Sequence, residues 1–218
     1  HLTNGIQIKV LDPACGSGVF LVQVLRNILD LYVDENGYIN DNYKLISIVK
    51  NVIYGIDLNS EAIDITIFSI YLTLFDYKNP KSLNGFKLPD LKNSNLFVSD
   101  FFDDNKLSEL RKISFDFIIG NPPWGSIKEG KHIEYCKEKR INNQNYEISR
   151  SFIAKARDYS NDKTVIMFII PSKIFYNQQK PAIQFRQNIL KSCYILKFIE
   201  LSSVRNLIFK KAKAPASI

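Results

Sequence analysis

Short apolar runs alternate along the chain with stretches whose apolar residues recur at helical spacing. The runs predict six strands, at residues 6–11, 52–56, 95–98, 115–119, 164–170 and 194–201. The helical spacing predicts helices at 19–31, 61–75, 148–159 and 181–191, and a short helix that ends at residue 50. A polar loop is predicted at 126–150. Strands that alternate with helices form an α/β fold with a doubly wound, mainly parallel sheet. In the usual order 3-2-1-4-5, strands 1 and 4 are neighbours.

The first predicted strand leads into a glycine-rich turn, Asp12-Pro-Ala-Cys-Gly-Ser-Gly18. Glycines let the backbone approach a bound molecule, and the start of the next helix offers free N–H groups to a carboxylate or phosphate. This strand–turn–helix unit therefore predicts a ligand site. Cys15 lies inside the turn, but no histidine is close in sequence to activate it, so we interpret it as a small packing residue.

Acidic residues stand at the ends of the next two predicted strands. Asp57 is placed where an acidic residue usually accepts ribose hydroxyl groups, although it lies 39 residues beyond Gly18, where a dinucleotide fold expects about 20. Asp100 can accept a hydrogen bond from an adenine amino group while Phe101 packs on the ring. An ordinary turn at the strand end explains Asp100 and Phe101 equally well.

The fourth predicted strand ends in the most distinctive segment, Phe-Asp-Phe-Ile-Ile-Gly-Asn-Pro-Pro-Trp-Gly at 115–125. Two prolines prevent the strand from continuing and a helix from starting. Asn121 carries an acceptor and donors, Pro122 offers a carbonyl, and Trp124 adds a flat apolar face. Together they suit a planar group that bears an amine. A turn opened by Asn-Pro beside a core tryptophan is the plainer interpretation, but the turn at 12–18 is a second motif where the same fold would place one.

The composition is that of a globular protein of one large domain, or of one domain with an appendage. The chain has 218 residues, of which 45% are hydrophobic and 23% are charged. No apolar run is long enough to span a membrane, and we expect no signal peptide. Three scattered cysteines and two histidines make a zinc site improbable, so we predict no metal, and they favour a reducing cytoplasm.

The net charge of +7 is unevenly distributed. Residues 1–125 carry 11 Lys+Arg against 15 Asp+Glu, a net charge of −4, whereas residues 126–218 carry 18 against 7, a net charge of +11. A basic second half predicts binding to a polyanion, and basic residues interleaved with Tyr135 and Tyr146 suit a nucleic-acid strand. A solvated helical face is the alternative. The candidate nucleic-acid-binding residues are Lys128, Lys131, Lys139, Arg140 and Lys173.

These motifs resemble those of a known family. Asp12-Pro-Ala-Cys-Gly-Ser-Gly-Val-Phe20 and Asn121-Pro-Pro-Trp124 are similar to the S-adenosylmethionine-binding and catalytic motifs of N6-adenine DNA methyltransferases. Their order resembles the gamma class of bacterial restriction–modification systems, of type II or of the type I modification subunit. Gly55-Ile-Asp-Leu-Asn59 and Ser99-Asp-Phe101 resemble the ribose- and adenine-contacting segments. Residues 150–156, 165–173 and 195–216 resemble later sheet motifs.

The resemblance implies a role for each motif. The turn at 12–18 would hold the methionine part of S-adenosyl-L-methionine, Asp57 its ribose, and Asp100 and Phe101 its adenine. The implied cofactor-binding residues are Asp12, Pro13, Ala14, Cys15, Gly16, Ser17, Gly18, Phe20, Asp57, Leu58, Asp100, Phe101 and Asn121. The implied catalytic residues, which would accept hydrogen bonds from the target N6 amine and stack on the base, are Asn121, Pro122, Pro123 and Trp124.

The resemblance also implies the organisation of the parent protein. Residues 1–218 would be a catalytic domain, with a cofactor-binding half at 1–114 and a catalytic, DNA-facing half at 115–218. Double-stranded DNA would be the substrate, with the adenine flipped out of the stack, and a restriction or specificity domain or subunit is an expected partner. We expect the family's cofactor motif before the first strand, its seventh strand and its target recognition domain to be absent from this chain.

Three alternatives remain open from the residues. The same fold and cofactor serve methylation of RNA bases and of protein glutamine. A nicotinamide-dependent dehydrogenase is disfavoured because the turn lacks the G-x-G-x-x-G pattern. A non-catalytic module that binds DNA is the third.

Overall fold

The computed structural model describes residues 8–143 and 146–204, together with the backbone of 216–217. The predicted basic cluster of Arg205, Lys210, Lys211 and Lys213 lies outside these residues. The chain divides into two compact units. The first comprises His1–Ile119 and Ser160–Val165, and the second comprises Gly120–Tyr159 and Ile166–Ile218.

A five-stranded sheet has the order β3-β2-β1-β4-β5. Its strands are β1 Val10–Asp12, β2 Ile53–Asp57, β3 Leu96–Val98, β4 Phe117–Gly120 and β5 Val165–Phe168. β1 pairs in parallel with both β2 and β4, and β2 pairs in parallel with β3. The predicted α/β fold and the order 3-2-1-4-5 are therefore confirmed.

Three helices pack in the first unit, each with a stripe of buried apolar residues. They are α1 Val19–Leu29, α2 Asn42–Val52 and α3 Ser60–Tyr77, with short 3-10 turns at 80–82 and 110–112. In α1, Leu21, Leu25 and Leu29 are fully buried one turn apart, as helical spacing requires. Asn59 caps α3 because its side-chain oxygen accepts the N–H groups of Glu61 and Ala62.

The outer face of α3 departs from the sequence prediction. We expected the apolar residues of this helix to be core, and Ile63, Ile70 and Leu74 are buried. A second stripe is instead 43% to 61% exposed, and its members are Ile65, Phe68, Leu72 and Phe75. Since apolar residues occupy both faces, periodicity alone did not separate the buried face from the exposed one. Asp64, predicted to be simply solvated, pairs with Lys92 at 2.7 Å.

The second unit holds the remaining elements. They are α4 Lys131–Glu138, α5 Ile148–Ala156, β6 Ile170–Pro171, α6 Lys173–Tyr176, α7 Lys180–Leu190 and β7 Ala216–Ser217, with 3-10 turns at 157–159 and 202–204. β6 and β7 pair antiparallel as a separate two-stranded sheet. Most of β5 also belongs to this unit.

Three predictions for the second unit were wrong. The polar loop predicted at 126–150 contains α4, because His132, Tyr135 and Cys136 recur at helical spacing and are buried. The sixth strand predicted at 194–201 does not form: Tyr194 is 96% exposed and Leu196 is 77% exposed. β5 was predicted to be fully buried, yet Met167 is 48% exposed.

Across the described part of the chain, no helix combines the length and hydropathy needed to cross a bilayer.

Candidate functional site

The glycine-rich turn links β1 to α1 and is shaped by two left-handed glycines. Gly16 has φ 54° and Gly18 has φ 81°. A Cβ added to Gly18 would lie 2.6 Å from Cγ2 of Thr66, so only glycine fits there. A Cβ added to Gly16 would meet no atom within 4 Å. The backbone at Gly16 therefore borders open space, which is what close approach of a ligand requires.

Asp12 ends β1 with a completely buried carboxylate. Its Oδ1 accepts the N–H of Ala14 at 3.0 Å, whereas its Oδ2, also buried, has no hydrogen-bond partner among the described residues. Burial raises the pKa of Asp12 to about 7; the Ala14 N–H opposes this rise and the nearby charge of Asp57 adds to it. A buried acceptor without a donor is costly unless a ligand supplies the donor.

Asp57 and Thr66 fasten the turn to the ends of the neighbouring elements. One oxygen of Asp57 accepts the N–H of Gly16 at 2.9 Å, and the other accepts the N–H of Asn59 at 2.9 Å. Thr66 Oγ1 donates to the Gly16 carbonyl at 2.8 Å. Carboxylate oxygens have further lone pairs, so Asp57 keeps the capacity to accept hydroxyl groups. Sequence reasoning missed Thr66, whose only signal was a polar residue on the buried face of α3.

Apart from Asn121, which belongs to the second unit, the other candidate cofactor residues lie near the same strand ends in the first unit. Leu58 is 71% exposed, and Phe20 is partly buried in the first turn of α1. Asp100 accepts the N–H of Phe102 at 2.9 Å, and Phe101 is 2% exposed. The rings of Phe101 and Phe102 meet edge to face, with centroids 5.7 Å apart. The contacts predicted for these side chains with an adenine ring stay predictions.

Cys15 is buried inside the turn, as the packing interpretation expects. It is 5% exposed, and its N–H donates to the Ile56 carbonyl at 3.0 Å. Burial raises the pKa of its thiol, and the charges of Asp12 and Asp57 add to that rise. A thiol held protonated in this way is a poor nucleophile.

The Asn121–Gly125 segment belongs to the second unit. Asn121 and Pro123 are exposed, whereas Pro122 is buried and Trp124 is partly buried. The indole N–H of Trp124 donates to the Ile169 carbonyl at 3.3 Å, and the Ile169 N–H donates to the Gly120 carbonyl at 3.0 Å. These bonds fix the tryptophan and leave the Asn121 amide on the surface.

The predicted nucleic-acid-binding residues surround or follow α4. Lys128, Lys131, Lys139 and Arg140 are exposed. Lys173 is half exposed and pairs with the buried carboxylate of Glu147. A cavity of about 750 Å³ in this unit is lined by Ser126, Lys128, Ile141, Asn142, Asn143, Tyr146 and Lys173.

Two residues of the basic stretch are not available to a nucleic acid. Tyr135 is 6% exposed, and its hydroxyl donates to the Ala154 carbonyl at 3.3 Å. Arg150 is 4% exposed, and burial lowers the pKa of its guanidinium. The expected role of an aromatic residue among the basic ones is therefore wrong for the buried Tyr135 and stays a prediction for the exposed Tyr146.

A family model described as Eco57I restriction-modification methylase matches residues 51–207, more than half of the chain. The chain belongs to this family. The matched residues include Asp57, Asp100 and the whole Asn121–Gly125 segment. The glycine-rich turn at 12–18 precedes them.

The similarity to one relative covers more of the chain than the family model does. A type II restriction enzyme and methyltransferase, RM.Eco57I of Escherichia coli, is 24% identical over 231 residues, which cover 89% of this chain and 23% of the relative. The adenine-specific methyltransferase BrxX of Escherichia coli O9:H4 is 37% identical over 65 residues, covering 30% of this chain and 5% of the relative. The matched part of the chain thus spans less than a quarter of the length of either relative.

Solved structures share the fold of this Eco57I-type chain. A nuclease-deletion mutant of the Type ISP restriction-modification enzyme LlaGI, in complex with a DNA substrate mimic, superposes with a TM-score of 0.71 at 16% identity. The superposition covers 97% of this chain and 20% of that one. A structure described as a putative class I S-adenosylmethionine-dependent methyltransferase from Listeria monocytogenes superposes with a TM-score of 0.58 at 20% identity, covering 98% of this chain and 53% of that one. At these identities the likeness establishes the fold alone, and that fold is the one these structures share.

Proposed function

We propose that this chain is the catalytic part of a DNA methyltransferase that transfers a methyl group from S-adenosyl-L-methionine to the N6 amine of adenine. The observation that carries the proposal is the Asn121–Trp124 segment, with its exposed amide and anchored indole, in a chain of the restriction-modification methylase family. The relative named as an adenine-specific methyltransferase supports the choice of base.

The first unit fits S-adenosyl-L-methionine. The cofactor carries a cationic amino group, and the buried Oδ2 of Asp12 is an acceptor without a donor among the described residues. Gly16 leaves space for close approach, and Asp57 at the end of β2 keeps lone pairs for ribose hydroxyls. When bound, the cofactor supplies a methyl group already activated by its positive sulfur.

The roles of Asn121 and Pro122 follow from the chemistry of an aromatic amine. The N6 lone pair is delocalised into the adenine ring, which makes the amine a weak nucleophile. The Asn121 side-chain oxygen and the Pro122 carbonyl would accept hydrogen bonds from the N6 amine and favour a pyramidal nitrogen with a localised lone pair. Acceptors fixed in advance can supply much of the rate enhancement through electrostatics and positioning. Because an amide is not basic, the surplus proton would leave to solvent.

Trp124 and the basic surface of the second unit would serve DNA. An adenine stacked in a duplex hides its amine, so the base must be flipped out at a cost of a few kcal/mol. Stacking on the indole, held by its bond to Ile169, would offset part of that cost. The exposed lysines around α4 would contact phosphates without selecting a sequence. Sequence selection we assign to another domain or subunit.

RNA and protein glutamine are the competing acceptors, and family membership removes the dehydrogenase alternative. The test is transfer of a tritiated methyl group by the full-length protein to DNA, RNA and protein. We expect label in DNA as N6-methyladenine. Label confined to RNA or protein would overturn the proposed substrate.

The same assay examines Asn121. Asn121→Ala should lower transfer about 100- to 1,000-fold, the usual effect of removing one fixed polar contact to the reacting group. Its affinity for S-adenosyl-L-methionine, measured by calorimetry, should be little changed. Near-normal methylation by this variant would remove Asn121 from the catalytic role.

A further inference from the structure

A buried carboxylate accepts a hydrogen bond from the end of the Asn121–Gly125 segment. Glu147 is 2% exposed, and its Oε1 accepts the N–H of Gly125 at 2.8 Å. The Gly125 carbonyl in turn accepts the N–H of Ile148 at 3.0 Å, and Ser126 forms an antiparallel bridge with Glu147. Both polar groups of Gly125 are therefore engaged by Glu147 or its neighbour.

The carboxylate is itself held by several donors. Ser149 Oγ donates to its Oε1 at 3.2 Å, and its Oε2 pairs with the ammonium of Lys173. The Glu147 backbone carbonyl accepts from the Asn143 amide at 3.0 Å. A buried charge is costly without such partners, so this set of contacts fixes the carboxylate in one place.

The Asn121–Gly125 segment is thereby anchored at both ends. Its start is held through Ile169, which donates to the Gly120 carbonyl and accepts from the Trp124 indole. Its end is held by Glu147 through Gly125, the residue that follows Trp124. The exposed Asn121 amide lies between the anchors. Reacting groups must be held to within a fraction of an ångström for efficient transfer.

We propose that Glu147 is a positioning residue for methyl transfer, and that Lys173 acts by holding the Glu147 carboxylate rather than by binding DNA. The proposal rests on the proposed function, in which Asn121 and Trp124 contact the target base. Glu147 would not touch the base; it would fix the backbone that carries the residues that do.

Three variants of the full-length protein separate the contacts. Glu147→Ala removes both the Gly125 acceptor and the Lys173 partner, and we expect kcat to fall about 100-fold, as for a misplacement of about 1 Å. Glu147→Gln keeps an oxygen for Gly125 but turns an amide group toward the Lys173 ammonium, and we expect a fall of about tenfold. Glu147→Gln with Lys173→Met removes that mismatch and should restore kcat to within about threefold of the parent.

The readouts distinguish positioning from general structural damage. The Kd for S-adenosyl-L-methionine and the melting temperature should stay close to the parent values in Glu147→Gln. The fluorescence of a 2-aminopurine placed at the target adenine reports how the base is stacked, and it should differ from the parent in Glu147→Ala and in Glu147→Gln. Glu134→Ala, an exposed glutamate of α4 in the same unit, is the matched control and should match the parent in all measurements.

Each outcome decides a different part of the proposal. A folded Glu147→Gln or Glu147→Ala protein with kcat within threefold of the parent would overturn the positioning role; if Glu147→Ala does not fold, Glu147→Gln and the double variant decide. A fourth variant, Lys173→Met, tests Lys173 alone: an equal loss of DNA affinity in this variant and in the double variant would return Lys173 to DNA binding. Asn121→Ala, assayed in parallel, should again lose about 100- to 1,000-fold in transfer; a parent protein that transfers no methyl group to DNA would refute the proposed function instead.

Discussion

The two units fix their functional loops by different means. In the first unit, the turn at 12–18 is held by its own glycine geometry, and backbone N–H groups bond to the carboxylates of Asp12 and Asp57. In the second, the Asn121–Gly125 segment is held at its end by one side chain, Glu147, reached 22 residues later in the chain. Both arrangements join residues distant in sequence, since Asp57 lies 41 residues from Gly16. The first uses turns at strand ends, whereas the second depends on one side chain and its partly buried ion pair with Lys173.

The units also differ in charge and in what they leave open. The first carries a buried carboxylate oxygen without a partner among the described residues, which suits a cation. The second presents exposed cations around α4, which suit a polyanion. The proposed cationic cofactor and the proposed DNA substrate would thus find complementary charge in different parts of the chain.

Replacement of Gly18 should have the largest effect on the first unit. In Gly18→Ala, the new Cβ would overlap Thr66 and the left-handed φ would be strained, so we expect a loss of about 3 kcal/mol or more in unfolding free energy. Urea unfolding followed by circular dichroism measures it.

Gly16→Ala is the matched control in the same turn. It meets no atom within 4 Å, so only the cost of the left-handed backbone, about 1 kcal/mol, is expected. Its methyl group would instead fill the space left for the cofactor, and affinity for S-adenosyl-L-methionine should fall more than stability does. Equal destabilisation by the two substitutions would contradict the proposed role of Thr66 in closing the turn.

Asp12 makes the first unit sensitive to pH. Its pKa is raised to about 7 in the folded chain, so folding favours the protonated form, and this contribution to stability is complete near pH 4 and lost as the pH rises through 7. Between pH 5 and 8 the parent should lose about 2.5 kcal/mol more unfolding free energy than Asp12→Asn, since each of the roughly two pH units below the folded pKa is worth about 1.4 kcal/mol. Urea unfolding at both pH values tests this.

Affinity for the cofactor should increase with pH, whereas the contribution of Asp12 to stability decreases. The ionised Asp12 is the form that attracts the cofactor's amino group, so affinity for S-adenosyl-L-methionine should rise by up to about eightfold from pH 6 to 7.5, the increase in the ionised fraction for a pKa of about 7. Asp12→Asn should bind weakly at both pH values. If the two proteins showed the same pH profile, the buried Oδ2 would not be the acceptor for the cofactor's amino group.

The sequence predicted the features that depend on local pattern. β1, β2 and β4 follow from short apolar runs, and their order follows from the handedness of crossover connections. The position of Asp12 before the glycines follows from the same strand–turn–helix pattern. These features need only neighbours in the sequence.

Features that depend on distant partners were not predictable. Residues 194–201 have strand-like composition. A strand forms, however, only where it can pair with another strand and bury one face. Tyr194 and Leu196 are exposed and lie in no strand. The spacing of His132, Tyr135 and Cys136 marked α4 and was obscured by the surrounding charges. Nothing in the sequence linked Glu147 to Gly125.

The prediction with the smallest expected effect tests the difference in charge between the two units. Lys128→Gln should lower the slope of log K against log salt for double-stranded DNA by about 0.9, the effect of one lost phosphate contact. Lys87→Gln, an exposed lysine of the first unit, is the control and should leave the slope unchanged. Fluorescence anisotropy of a labelled duplex with the full-length protein measures both. Equal slopes for the two variants would mean that the basic surface of the second unit is solvated rather than bound to DNA.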